Sequence, residues 1–166
     1  MPPPHCVLDA NVLIEAHKRY YAFDICPGYW AALLAHHERG HVCSIDRVRE
    51  ELVKQRDALS RWAKQEAPAS FFAGTADPAV VASFGQVMTW LNRQAQYLPA
   101  ATAEFAAGAD GWLVAYAKKH GLVVATDEVA NPAIKRRVPI PNVCDAFGVT
   151  YIGTFDMLRA LGCVFN

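Results

Sequence analysis

Two short apolar runs, His5-Cys6-Val7-Leu8 and Leu122-Val123-Val124-Ala125, each end abruptly in polar residues, and this pattern constrains the fold more than anything else in the chain. Runs of this length without polar alternation suit strands buried on both faces of a parallel sheet. His41-Val42-Cys43-Ser44-Ile45 and Val149-Thr150-Tyr151-Ile152 extend the set to four, each followed by a segment of helical periodicity. Helices are predicted over about 28–39, 46–64, 78–96, 110–120 and 154–161. Asp77-Pro78 supplies a cap and a first-turn proline to the stripe Val80, Val81, Phe84, Val87, Met88 and Leu91, while Gly40 and Gly121 close two other helices. Strands alternating with helices predict an α/β domain with a parallel sheet of four or five strands. The stretch from Asp46 to Ala107, read as helices without an intervening strand, predicts a helical arm.

At 166 residues and 53% hydrophobic content, the chain suits one domain over residues 1–166 with an ordinary core. Its apolar stretches are broken well short of a membrane span, and Met1-Pro2-Pro3-Pro4-His5 lacks the basic head and apolar body of an export signal, so no membrane association and a cytoplasmic location are expected. The five cysteines are odd in number and scattered, which signals neither a disulfide framework nor a zinc site; buried, inert thiols are expected instead. His36, His37 and His41 cluster around a helix end, where imidazoles serve the last carbonyls. Formal net charge is zero, so any attraction for phosphate must be local. The densest basic run is Lys135-Arg136-Arg137, a weak candidate for contacts with RNA phosphates against the plainer reading of a solvated loop.

The acidic residues carry the chemical signal. Ligand sites in open parallel sheets lie at the carboxyl ends of strands, where Asp9 and the Asp127/Glu128 pair fall, with Asn11 at the same mouth. On the third predicted segment Glu51 aligns with Val48 and Gln55 and sits beside Leu52, so it faces inward, whereas Glu50 lies between Arg47 and Lys54 and faces water. Asp110 precedes Leu113, Val114 and Ala117 at helical offsets, which places it on the buried stripe in a first turn. Helix capping is the rival explanation for Asp9 and for Asp110. Independent caps have no reason to converge, however, and an unpaired buried carboxylate costs several kcal/mol or takes up a proton. A hard divalent cation relieves that cost, and oxygen ligands of this kind suit Mg²⁺ or Mn²⁺ and phosphate chemistry.

Leu8-Asp9-Ala10-Asn11-Val12-Leu13-Ile14, Val48-Arg49-Glu50-Glu51-Leu52, Asp110-Gly111-Trp112-Leu113-Val114-Ala115 and Val124-Ala125-Thr126-Asp127-Glu128 resemble, in order and spacing, the successive acidic motifs of PIN-domain nucleases. The tail Ile140-Pro141-Asn142-Val143-Cys144-Asp145-Ala146-Phe147-Gly148-Val149 resembles a less characterised bacterial branch of PIN-like proteins. The resemblance implies a three-layer α/β/α fold, a Mg²⁺ or Mn²⁺ site and cleavage of single-stranded RNA. It also implies the toxin of a toxin–antitoxin pair, with a DNA-binding antitoxin as partner and a homodimer as its assembly. Matching the motifs puts Asp9, Glu51 and Asp110 in the first three acidic positions. The fourth is Glu128, two residues after its start at Thr126, with Asp127 as the alternative. Two other readings stand beside this one. Asp9 occupies the place of an aspartyl nucleophile in haloacid-dehalogenase-like phosphatases, although Asn11 stands where that group carries a second aspartate. A PIN-like module that binds RNA or protein and cleaves nothing keeps the same fold, with Trp30, Trp62 or Trp112 available to an interface.

Overall fold

The structure, a computed structural model, describes residues 2–166. Five strands form one parallel sheet: β1 (Cys6–Leu8), β2 (Val42–Ile45), β3 (Phe72–Ala73), β4 (Val123–Ala125) and β5 (Tyr151–Ile152), in the order β3-β2-β1-β4-β5. β1 is central and entirely buried, as an unbroken apolar run should be. Its register pairs Cys6 with Val42 on one side, and Cys6, Val7 and Leu8 with Val123, Val124 and Ala125 on the other. From β1 the chain winds outward through β2 and β3, then returns to β4 and winds outward again to β5. The order therefore reverses between β1 and β4, which is where open α/β sheets leave a crevice at their carboxyl ends.

Helices on both faces complete a three-layer α/β/α architecture. They are α1 (Ala10–Glu15), α2 (Pro27–Glu38), α3 (Asp46–Lys54), α4 (Ala58–Arg61), α5 (Pro78–Asn92), α6 (Pro99–Ala107), α7 (Asp110–His120), α8 (Ile140–Phe147) and α9 (Thr154–Ala160). The signals read in the sequence act as expected at several ends. Asp77 accepts from the Ala79 amide at 2.7 Å to cap α5, and Gly121 ends α7 in the left-handed region, φ 66°. Among the described residues, no helix is long and apolar enough to cross a membrane. Burial pushes the thiols of Cys6 and Cys144 up to about 12 and that of Cys43 up to about 11, consistent with inert packing residues.

Two expectations need correction. The helix predicted over 46–64 is broken: Arg56 turns the chain at φ 53°, and Asp57 accepts from the Ser60 amide at 2.9 Å, so that α4 starts afresh before a π-helical turn at Trp62–Glu66. The stretch from Asp46 to Ala107 also contains a strand, β3, which pairs Phe72 and Ala73 with Ser44 and Ile45. The histidines serve the fold differently from simple end caps. His37 bridges Val42 O at 2.8 Å and Ser70 Oγ at 2.9 Å, and the Nδ1 atoms of His36 and His41 face each other at 3.1 Å. Trp30 and Trp62 are core residues, 4% and 1% exposed.

The packing that matters most for the site lies between α5 and α7. A side chain at Gly111 would place its Cβ 3.0 Å from both Phe84 and Phe105, so glycine lets α7 approach these rings without displacing them. The next residue, Trp112, stacks on Phe84 with ring centroids 3.9 Å apart, and the Arg47 guanidinium lies 3.9 Å from the Trp112 ring centre. Asp110 therefore starts a helix whose first turn is pinned on two sides.

Candidate functional site

The reversal between β1 and β4 sets the site. Asp9 follows β1 directly, its amide donating to Ala125 O at 3.0 Å, and its side chain is 2% exposed. It occupies the N-cap position of α1 without a full side-chain capping bond, the Asn11 backbone amide acting on it only as a minor influence, so capping alone does not account for it. Its Oδ2 instead accepts from the Thr126 hydroxyl at 3.0 Å. The same Thr126 oxygen accepts from the Glu128 amide at 3.2 Å. One buried threonine after β4 thus orients two acids from different strands.

Asp110 is also no cap, because Ala109 holds that position on α7. Glu51, on α3, accepts from the Ala109 amide through Oε1 at 3.2 Å, which ties α3 to the start of α7 and brings the Glu51 charge near Asp110. Glu50 is exposed, as its helical neighbours predicted. Glu128 accepts from Arg137 through Oε1 and from the Ile140 amide, at the start of α8, through Oε2 at 2.7 Å. A pocket of about 400 Å³ opens over these residues, lined by Asn11, Glu104, Asp110, Glu128 and Arg137 together with apolar side chains of α6 and Val138.

Electrostatics shows that the acids sense one another. Burial first, then the charges of Asp110 and Glu128, pushes the Asp9 carboxyl up to about 8, against the opposing influence of the Thr126 hydroxyl and the Asn11 amide. Burial, then Glu128 and Glu51, pushes Asp110 up to about 7, with Glu104 adding to the effect and Arg137 opposing it. At neutral pH such a group of carboxylates retains protons or acquires a cation.

Asp127 is removed from the cluster. It turns to α9, where its two oxygens accept from the Thr154 amide at 2.8 Å and hydroxyl at 2.6 Å. Glu128 is thus the acid that faces Asp9 and Asp110. The basic run is likewise divided: Arg137 reaches Glu128 and lines the pocket, whereas Lys135 and Arg136 are exposed and do not line it. Glu104 escaped the sequence reading. Pro99 and Gly108 bracket its helix, and Ala101 and Phe105, four apart, mark the buried face, so those signals could have found it.

The donors fit a hard divalent cation in kind, being carboxylates and the amide of Asn11 with neither sulfur nor imidazole lining the pocket. They are not gathered in advance. Among the described residues, no three His, Cys, Asp or Glu side chains stand together so as to hold a metal ion. Both oxygens of Glu128 already have partners.

A comparison with curated proteins gave no match. Two solved structures resemble this chain over most of its length. FitAcB from Neisseria gonorrhoeae shares 19% identity, covering 89% of this chain and 96% of that one with a TM-score of 0.53. VapBC2 from Rickettsia felis, bound to a DNA fragment from their promoter, shares 10% identity, covering 89% and 97% with a TM-score of 0.56. At these identities the likeness is one of fold, and the fold is PIN-like. Residues 6–165 match a family described as a domain of unknown function, DUF4411, and the chain belongs to that family.

Proposed function

We propose that this protein is a Mg²⁺- or Mn²⁺-dependent endoribonuclease that cleaves single-stranded RNA in the cytoplasm, as the toxin of a toxin–antitoxin pair. The observation that carries the reading is that Asp9, Asp110 and Glu128, from three separate segments, lie close enough to shift one another's charge, with Asp110 and Glu128 lining a pocket and Asp9 buried behind it. The PIN-like fold shared with FitAcB and VapBC2 supports the toxin assignment and a DNA-binding antitoxin as partner. A protein interface, with the antitoxin or with a second copy, also draws support from Tyr20, Ile25, Phe155 and Val164, large apolar side chains that are all at least half exposed.

In this mechanism Asp9, Asp110 and Glu128 would hold the ion, which would supply positive charge for a phosphodiester and lower the pKa of a water. The rest is positioning. Thr126 orients Asp9 and Glu128 together, and Glu51 fixes the first turn of α7, so it acts through Asp110 rather than on substrate. Asn11 and Arg137, both on the pocket wall, are placed to bind phosphate oxygens, Arg137 through its planar fork.

The test is incubation of labelled single-stranded RNA with the protein in Mn²⁺ and in excess chelator. The expected result is cleavage in Mn²⁺ that the chelator and Asp110→Asn both abolish. Cleavage unaffected by either would overturn the assignment. A non-catalytic module is favoured by one observation, the engagement of both Glu128 oxygens. Absence of cleavage across several RNA sequences, with RNA still bound, would support that reading.

A further inference from the structure

We infer that Arg137 is a built-in latch on the metal site: its guanidinium occupies the Glu128 oxygen that a divalent cation needs, and the cation must displace it. The inference rests on the metal-dependent reading above and concerns how that site is loaded.

The two oxygens of Glu128 are held in different ways. Oε2 accepts from the Ile140 amide at 2.7 Å, a backbone group at the start of α8 that cannot move without the helix. Oε1 accepts from Arg137, a side chain. The carboxylate is therefore aimed by one oxygen and occupied at the other. Exposure divides the pair in the same way: the Glu128 side chain is 12% exposed and that of Arg137 is 53%. Arg137 can leave into water, whereas Glu128 cannot.

The surrounding backbone favours a swing of the side chain over movement of the loop. Between β4 and α8 the segment is fastened at three points: Asn131 to Asn142 in both directions at 2.8 Å, Ile134 O to Gln96 at 2.8 Å, and Lys135 O to the Leu98 amide at 2.9 Å. Arg137 lies just beyond the last of these. It also lines both the 400 Å³ pocket over Asp110 and an adjoining pocket of about 280 Å³ bounded by Val129, Ile134 and Pro139, so a displaced guanidinium has space on either side.

Charge makes the exchange two-way. Arg137 is the one basic residue among those lining the pocket, where it faces Glu128, Asp110 and Glu104, with Asp9 and Glu51 behind them. A dication beside Glu128 repels the guanidinium and takes over its neutralising role. The released Arg137 then faces the pocket, where a substrate phosphate offers two oxygens to its fork. The latch thereby links loading of the ion to recognition of phosphate.

Mn²⁺ binding, followed by the electron paramagnetic resonance signal of the free ion, tests this without any assay of activity. Four proteins are compared: wild type, Arg137→Gln, Arg136→Gln and the double variant Arg137→Gln/Asp110→Asn. Arg136→Gln removes the same charge from a neighbouring exposed position, so it controls for simple electrostatics. Arg137→Gln is expected to bind Mn²⁺ about tenfold more tightly than wild type, Arg136→Gln within about twofold, and the double variant much more weakly. Equal or weaker binding by Arg137→Gln, or an equal gain in Arg136→Gln, would overturn the latch while leaving the metal site standing. Absence of Mn²⁺ binding in all four would overturn the site and the latch together. Should Arg137→Gln fail to fold, Arg137→Lys replaces it. It keeps the charge but loses the fork, and is expected to bind several-fold more tightly than wild type, with wild-type affinity counting against the latch.

Discussion

Asp9, Asp46 and Asp127 all follow a strand directly or nearly so, yet they fall into two groups. Asp46, after β2, accepts from the Arg47 amide at 2.8 Å and from Thr75 at 2.8 Å through its hydroxyl and 3.1 Å through its amide, while Arg47 in turn reaches Thr75 at 3.1 Å. Asp127, after β4, is taken up by Thr154. These two carboxylates are saturated by local donors and fasten elements together. Asp9 receives one side-chain hydrogen bond and faces other acids. Acids at the carboxyl edge of a sheet are thus structural when neighbouring donors use their oxygens, and chemical when their nearest charged neighbours have the same sign.

Breaking that contrast should produce effects of very different size. The largest is Asp110→Asn, expected to lower RNA cleavage by a factor of about 10²–10⁴ with the circular dichroism spectrum unchanged; activity within tenfold of wild type would remove Asp110 from the chemistry. Next comes Asp46→Ala, expected to cost ~2–4 kcal/mol in urea unfolding because it strands the buried Thr75 amide, without altering Mn²⁺ affinity.

Asp9→Asn should act in the opposite direction. Asp9 and Asp110 both have folded values raised above an ordinary 3.8, to about 8 and about 7. Their contribution to stability is fully present below about pH 4 and is lost as pH rises through 7 and 8. Metal-free protein should therefore be more stable at pH 5 than at pH 8. Asp9→Asn should recover ~1–3 kcal/mol at pH 8 and much less at pH 5, as measured by urea unfolding at both values. A loss of stability at pH 8 would show that Asp9 is a structural acid like Asp46. The smallest effect is that of Asp127→Asn, expected to cost ~1 kcal/mol of stability and to leave cleavage within about twofold.

The parts legible in the sequence were those whose signal is local. β1 and β4 show as apolar runs because both faces are buried, and α7 shows because Asp110, Leu113, Val114 and Ala117 share one stripe ending at Gly121. β–α alternation puts Asp9 at the carboxyl edge of the sheet, where the observed strand order brings it beside Thr126. What stayed hidden depends on partners far along the chain. β3 has two residues and exists only through its pairing with β2, and the break at Arg56 and Asp57 interrupts a pattern that reads as one helix. Asp127 and Glu128 read alike in the sequence, and only Thr154, 27 residues on, takes Asp127 away from the pocket. The run Lys135-Arg136-Arg137 reads as a uniform basic patch, yet Arg137 alone meets an acid of the site.

The central claim, that Asp9, Asp110 and Glu128 form one cation site from which Asp127 is excluded, is tested most directly by thermal melting with and without Mn²⁺ at low ionic strength. Wild type and Asp127→Asn are expected to gain the same increase in Tm from Mn²⁺, and Asp9→Asn, Asp110→Asn and Glu128→Gln to lose most of it. An increase of equal size in all five proteins, or its loss in Asp127→Asn alone, would contradict the account.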